Sequence, residues 1–377
     1  MVPGPRGAVG GQTKDRPAPS QPRAASTPVP PPDPSRPMPQ VYPAPCDCEW
    51  NWTESAPFVP HPFNFDASGS GIMPHCPITN ESTELDYFQL YFDEPIMNLT
   101  VTQTNMYYQY TMDHTDVSES SRLHRRKDRT VAEMYLFLGT VMLMPHTYKN
   151  NIAHYWSTDH FISPPVFRDL FPCNRFTLLL RMLHFSDRNT PNRNDLLYKI
   201  RELFMYLKQK FSAYFYPFKN IVVNESLVLF KGRLSFKQYI PSKRNRFGIK
   251  LFVMCDCETG LVLDVIIYTG KNTLSDTRHM LGISGDVVCK MMGPYLGKGH
   301  TLYTDNWYIS PMLTDFLRVN NTDICGTVRS RKHMPRFTGG SLVELFHAND
   351  IMALTWHDKR DVTLLSTIHR NKMVQTD

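Results

Sequence analysis

The chain has 377 residues, 41% of them apolar, which suffices for a sizeable core and by length suggests two domains. Its net charge of +6 makes it only mildly basic, a weak pointer toward nucleic acid. The N-terminal MVPGPRGAVG has no apolar stretch for secretion, and the longest apolar run, Met134–Met144, is too short to cross a bilayer, so a soluble intracellular protein with no membrane partner is expected.

Residues 1–62 hold 17 of the 30 prolines, too little apolar mass to offset ordering entropy. Residues 1–83 are therefore expected to be a disordered, Pro-rich region that proteins could bind. The eight cysteines form no disulfide framework. Neither Cys46/Cys48 nor Cys255/Cys257 has zinc-site spacing, although His75 and Cys76 could join the first pair.

From about residue 83 the period is helical. Thr130 and Glu133 read as a capping box before VAEMYLFLGTVMLM, a helix apolar nearly all round and hence expected to be central. RFTLLLRMLHF (175–185) reads as a second buried helix. Leu196, Leu197, Ile200, Leu203, Phe204, Leu207 and Phe211 mark one face of a third; Lys199, Arg201, Lys208 and Lys210 line its other face, solvated or turned to DNA.

After residue 220 the period shortens. NIVVNESLVLF reads as a strand, and GIKLFVMCD and LVLDVIIYTG as a hairpin turning at CETG, where Gly260 supplies the geometry. A helix follows at about 287–296, disturbed by Pro294, then the strand HTLYTD ending at Asp305. A helix capped by Ser310 with Pro311 in its first turn, and a strand TDICGTV, complete the series. This order implies a mixed α/β sheet of the ribonuclease H-like kind.

Enzymes of that fold gather carboxylates at strand ends to hold two divalent cations. Asp305 stands at such an end, where the alternative is a turn cap. The matching position on the first strand is Asn224, whose neutral carbonyl supplies no charge, and Glu225 should point to the opposite face. The stretch 231–250 carries Lys231, Arg233, Lys237, Lys243, Arg244, Arg246 and Lys250 with no acid, interleaved with Phe236, Tyr239 and Phe247. Such a pattern suits phosphates and exposed bases; a solvated basic loop is the competing reading. LHRRKDR (123–129) could serve as a nuclear signal.

The run NESLVLFKGRLSFKQYIPSKRNRFGIKL resembles a block of the piggyBac transposases, and TQTNMYYQY, AHYWS, YTGK, YTDNWYISPML, CGTVRSRK, WHDKRDV and LSTIH agree in order, from about residue 84 to 371. The resemblance implies a helical DNA-binding and dimerisation module (84–216), a ribonuclease H-like DDE domain (217–330), and the start of an insertion domain (331–377). It implies DNA and a second copy as partners, a nuclear location, and Mg²⁺ held by three aspartates in active members. The first falls on Asn224 and the second on Asp305; the third lies in a segment beyond Asp377. The expectation is a domesticated, non-enzymatic, DNA-associated protein that uses no cofactor, with Asp305 vestigial and an exposed apolar sheet face near Asp305 and Cys325. Residual metal-dependent nicking, or a role apart from DNA as an interaction protein or unstable fragment, are the alternatives.

Overall fold

The helical half begins at capped turns whose residues are visible in the sequence. A computed structural model describes residues 50–54, 58–125, 127–187, 192, 194–241, 244, 246–274, 281–329, 332–357 and 359–371. After a short strand β1 (Gly71–Ile72), Thr83 and Asp86 form a reciprocal capping box on α1 (Glu84–Tyr91). Asp93 caps α2 (Glu94–His114), which has a proline in its first turn. Thr130 caps α3 (Val131–Leu143) by accepting the Glu133 N–H at 3.2 Å. The expected box is only half formed, because the Glu133 carboxylate is taken by the Arg175 guanidinium, with Nη2 2.7 Å from Oε2. That pair ties α3 to α5 (Cys173–Met182), which follows α4 (Val166–Leu170).

Ile96, Met97, Met134, Phe137, Phe171, Phe176 and Leu179 interlock as the core of this half. The position of α3 differs from expectation: Met134, Phe137 and Thr140 are buried, whereas Leu136, Val141 and Met142 are exposed. Only one stripe of the helix meets α2 and α5, so an all-round apolar sequence does not here mean all-round burial.

The amphipathic helix α6 (Arg201–Tyr214) joins the two halves. Its cations are mostly committed within the chain. Lys208 Nζ lies 2.7 Å from Asp264, Lys210 Nζ 2.6 Å from Asp93, and Arg201 Nη2 2.6 Å from Asp195. They act as staples, so the face that could have met DNA is largely consumed internally.

Strand β2 (Phe215–Tyr216) pairs with β1, and the main sheet begins with β3 (Asn220–Leu229). It continues with β4 (Gln238–Tyr239), β5 (Phe247–Asp256), β6 (Val262–Ile267), α7 (Gly282–Met292), β7 (Thr301–Thr304), α8 (Pro311–Val319) and β8 (Asp323–Thr327). In space, β6, β5 and β3 are antiparallel neighbours, and β7 and β8 extend the sheet parallel to β3. This β6-β5-β3-β7-β8 order, three antiparallel strands followed by two parallel ones, is the ribonuclease H-like core. Helices α7 and α8 cover one face, where Val287, Val288, Met292, Leu313 and Leu317 pack on Ile221, Val223, Leu302 and Ile324.

The remaining strands, β9 (Val343–Ala348), β10 (Ile351–Trp356) and β11 (Val362–Ser366), continue the same sheet through β8–β11 pairing. The boundary expected at residue 330 is thus crossed by backbone hydrogen bonds, with Leu365 paired to Gly326.

Disorder to residue 83 was expected too far along the chain; residues 1–49 lie outside the described residues. Residues 58–66 lie across the sheet domain as a strap. Asp323, fully buried, accepts from Phe63 N–H, Arg318 and Thr367, each at 2.8 Å, while Arg318 also donates to His61 O and Asp350 and lies 4.2 Å from the Phe63 ring. A Cβ on Gly299 (φ +78°) would fall 1.9 Å from Asn64 O, so the strap passes where only glycine leaves room. Three phenylalanines, Phe58, Phe63 and Phe65, distinguish this stretch from the tail before it; its proline content, with Pro60 and Pro62, does not.

Candidate functional site

The candidate site lies where β3 runs past the end of β7. Their register pairs Val223 with Thr304, so the next residues, Asn224 and Asp305, are neighbours across the strands. Asn224 is exposed, and its Oδ1 accepts the adjacent Glu225 N–H at 2.7 Å. Asp305 Oδ1 accepts the Trp307 N–H at 2.9 Å, closing the turn into α8. The structure therefore brings the two sequence-selected positions together, each with its side-chain oxygen on local backbone.

Glu225 lies on the other face of β3, as alternation requires, and there it meets Lys250. Register places Glu225 opposite Phe252 and Leu227 opposite Lys250, making Glu225 and Lys250 diagonal neighbours. The ammonium is 2.8 Å from Glu225 Oε2, with the two side chains 14% and 19% exposed. It also lies 4.4 Å from the Trp307 ring centroid and 5.0 Å from that of Phe252, and those two rings stack at 5.3 Å. Lys250, chosen in the sequence as a phosphate contact, is thus turned inward as the cation of an internal pair. Alternation alone could not show this, because the contact depends on β3–β5 register.

Beneath them Tyr308 is 1% exposed, and its hydroxyl has no hydrogen-bond partner among the described residues. Burial first, then the nearby Asp305 and Glu225 carboxylates, push its ionisation well above the usual phenol range.

These residues do not fit a two-cation centre. Asn224 is neutral, Glu225 is already neutralised by Lys250, and Asp305 is left as the carboxylate at the strand end. No group of three His, Cys, Asp or Glu side chains able to hold a metal occurs among the described residues. The sheet face bearing Val222, Tyr303 and Cys325 is half-buried rather than fully exposed, and burial raises the Tyr303 phenol and the Cys325 thiol.

At the Leu229–Gly248 end of the β3–β5 pairing, further along the strands from Asn224, the basic stretch forms a hairpin that pairs β4 with β5. Lys231, Arg233, Arg244 and Arg246 are exposed, and Lys237 is half-buried with its ammonium 3.0 Å from Gly232 O. Lys243 lies outside the described residues. Phe236 is 7% exposed and anchors the hairpin base with Leu197 and Ile267, whereas Tyr239 and Phe247 stand out from it.

The family model described as Transposase IS4 matches residues 83–377. PiggyBac transposable element-derived protein 2 of Homo sapiens is 23% identical over 313 residues, covering 76% of this chain and 49% of that protein. PiggyBac transposable element-derived protein 5 of Homo sapiens is 22% identical over 259 residues, covering 67% of this chain and 48% of that protein. The chain therefore spans about half the length of these curated relatives. A solved piggyBac transposase, in a synaptic complex with hairpin DNA, superposes with a TM-score of 0.67 at 23% identity, covering 82% of this chain and 65% of that one. The chain belongs to this family, as a piggyBac-type, transposase-derived protein with the DDE ribonuclease H-like fold.

Proposed function

We propose that this chain is a DNA-associated protein in which metal-dependent strand cleavage no longer operates, and that it acts in the nucleus without a cofactor. The observation that carries the reading is an acid-free hairpin with four exposed cations, on the same β3–β5 strand pair that offers Asn224 in place of a carboxylate. Lys231, Arg233, Arg244 and Arg246 neutralise phosphates, releasing counterions and giving affinity that falls steeply with salt. The solved transposase in complex with hairpin DNA supports a nucleic-acid partner, and its synaptic assembly supports a homodimer.

The test is binding of a labelled oligonucleotide by the full chain across a salt series, beside a variant with Lys231, Arg233, Arg244 and Arg246 changed to alanine. A slope of log affinity against log salt that flattens by about one for each phosphate no longer neutralised supports the reading. Absence of binding at low salt rejects it. Nicking of supercoiled DNA in the presence of Mn²⁺ would instead revive the cleavage alternative.

A further inference from the structure

We infer that Tyr239 and Phe247 form a stacking platform for unpaired bases, so that the hairpin's ligand is single-stranded or locally unpaired DNA rather than continuous duplex. The inference rests on the DNA association proposed above and specifies its substrate class.

The two aromatics are cross-strand partners in the β4–β5 pairing, and their ring centroids lie 4.7 Å apart at 33°. Tyr239 is 54% exposed and Phe247 48%, so roughly half of each side chain faces outward. The neighbouring Val228, paired with Ile249 and so on the same sheet face as Phe247, is exposed as well and extends the apolar floor. Phe236 shows what an aromatic of this hairpin does when its role is packing: it is 7% exposed and seated under Leu197 and Ile267. Two aromatics at the tip that fail to bury, when a third in the same hairpin does so, are placed for something outside the chain.

The surroundings define that something by charge. No acidic residue occurs between Glu225 and Asp256, and exposed Lys231, Arg233, Arg244 and Arg246 belong to the same hairpin and its approach. Lys237 Nζ lies 5.6 Å from the Phe247 centroid, placing a cation beside the ring. Planar rings amid cations match a ligand with alternating anionic backbone and flat faces. In continuous duplex those faces are already stacked on one another, leaving phosphates for the cations and nothing for the rings. Unpaired nucleotides offer both.

The test uses the full chain, a fluorescein-labelled single strand of about 20 nucleotides, long enough to span a typical single-strand site, and a blunt duplex of the same sequence, each titrated at several salt concentrations. The double variant Tyr239→Leu, Phe247→Leu keeps apolar bulk but removes the flat faces, and its unfolding transition is recorded alongside to establish that it folds. The expected result is tighter binding of the single strand than of the duplex by wild type. The leucine variant should lose about tenfold or more in single-strand affinity, with duplex affinity and salt slope unchanged. A leucine variant that holds the single strand as well as wild type overturns the inference, as does a wild type that binds duplex equally well or better. Duplex binding without single-strand preference would leave the DNA reading standing and remove this one; no binding to either would remove both.

Discussion

Changing Lys250 separates two roles that its sequence position confuses. As an internal cation it is held by Glu225 at 2.8 Å and by two stacked rings, with little of either charged side chain exposed. Removing one member of a fully buried pair costs about 3–5 kcal/mol, and residual exposure here lowers that, while the cation–π contacts contribute about 0.5–1 kcal/mol each. Lys250→Met, which keeps the stem's packing but not the charge, is therefore expected to cost about 2–4 kcal/mol. Glu225→Gln alone should also destabilise, because the ammonium loses its counter-charge between two rings. The double variant should recover much of the loss, since neither charge is then stranded. Urea unfolding followed by tryptophan fluorescence reports the cycle, as Trp307 lies against the ammonium. Single variants within about 0.5 kcal/mol of wild type, or strictly additive losses, would refute the pairing argument. The same Lys250→Met protein should keep the wild-type salt slope for DNA; a slope flattened by about one would mean that Lys250 leaves Glu225 for a phosphate.

The strap and a buried histidine give two further expectations. Asp323→Asn removes the buried counter-charge of Arg318 and should cost about 3–5 kcal/mol, with limited proteolysis newly cutting within residues 58–66; unchanged cleavage would refute the anchoring role. His300 is fully buried, with Nδ1 3.0 Å from Phe218 O and Nε2 3.2 Å from the Tyr216 hydroxyl, and burial lowers its pKa to about 4. The unfolded chain takes up this proton first, so stability should fall as pH drops from about 6.5 toward 4, by about 3 kcal/mol in all. Unfolding measured against pH for wild type and His300→Gln checks it, and parallel curves over that window would contradict the assignment. Thr130→Ala, which removes the cap on α3, should cost about 1 kcal/mol, read from the same unfolding curves.

Strands β3, β5, β6, β7 and β8 were legible because each is an apolar run bounded by turn residues, whereas β4 and β9 to β11 were not: β7 does end immediately before Asp305, Ser310 does cap a helix, and Gly260 does occupy a left-handed turn at φ +73°. What escaped the sequence was mostly non-local. Nothing in RELFMYLKQK says that Lys208 and Lys210 find Asp264 and Asp93, far away along the chain on either side, so a stapled face looks like a solvated one. Glu133 reads as half of a capping box until Arg175 reaches it from another helix. Proline density stays nearly constant into the strap, which makes it resemble the tail, although Phe58, Phe63 and Phe65 set it apart. At the candidate site, spacing found Asn224 and Asp305, but the inward turn of Lys250 depends on β3–β5 register, which no single strand encodes.

The residue at position 224 also fixes how the site holds together. A centre built to bind cations sets carboxylates close enough to repel, and the bound ions offset that repulsion. Here the Asn224 side chain carries no charge and bonds to local backbone, Glu225 has its cation in Lys250, and Asp305 caps a turn, so each group is satisfied within the fold. Asn224→Asp would place a second carboxylate across from Asp305, and at an effective dielectric between those of water and the protein surface the repulsion should cost about 1–3 kcal/mol. Because the new pair faces the exposed side of β3, divalent ions can reach it. Thermal unfolding of wild type and Asn224→Asp, with and without millimolar Mn²⁺, measures the effect. The variant should be less stable than wild type in chelator and regain part of the loss with Mn²⁺, while wild type stays indifferent. A wild type stabilised by Mn²⁺ as much as the variant would show that the site still gathers enough charge to hold a cation, and the argument from Asn224 would fall.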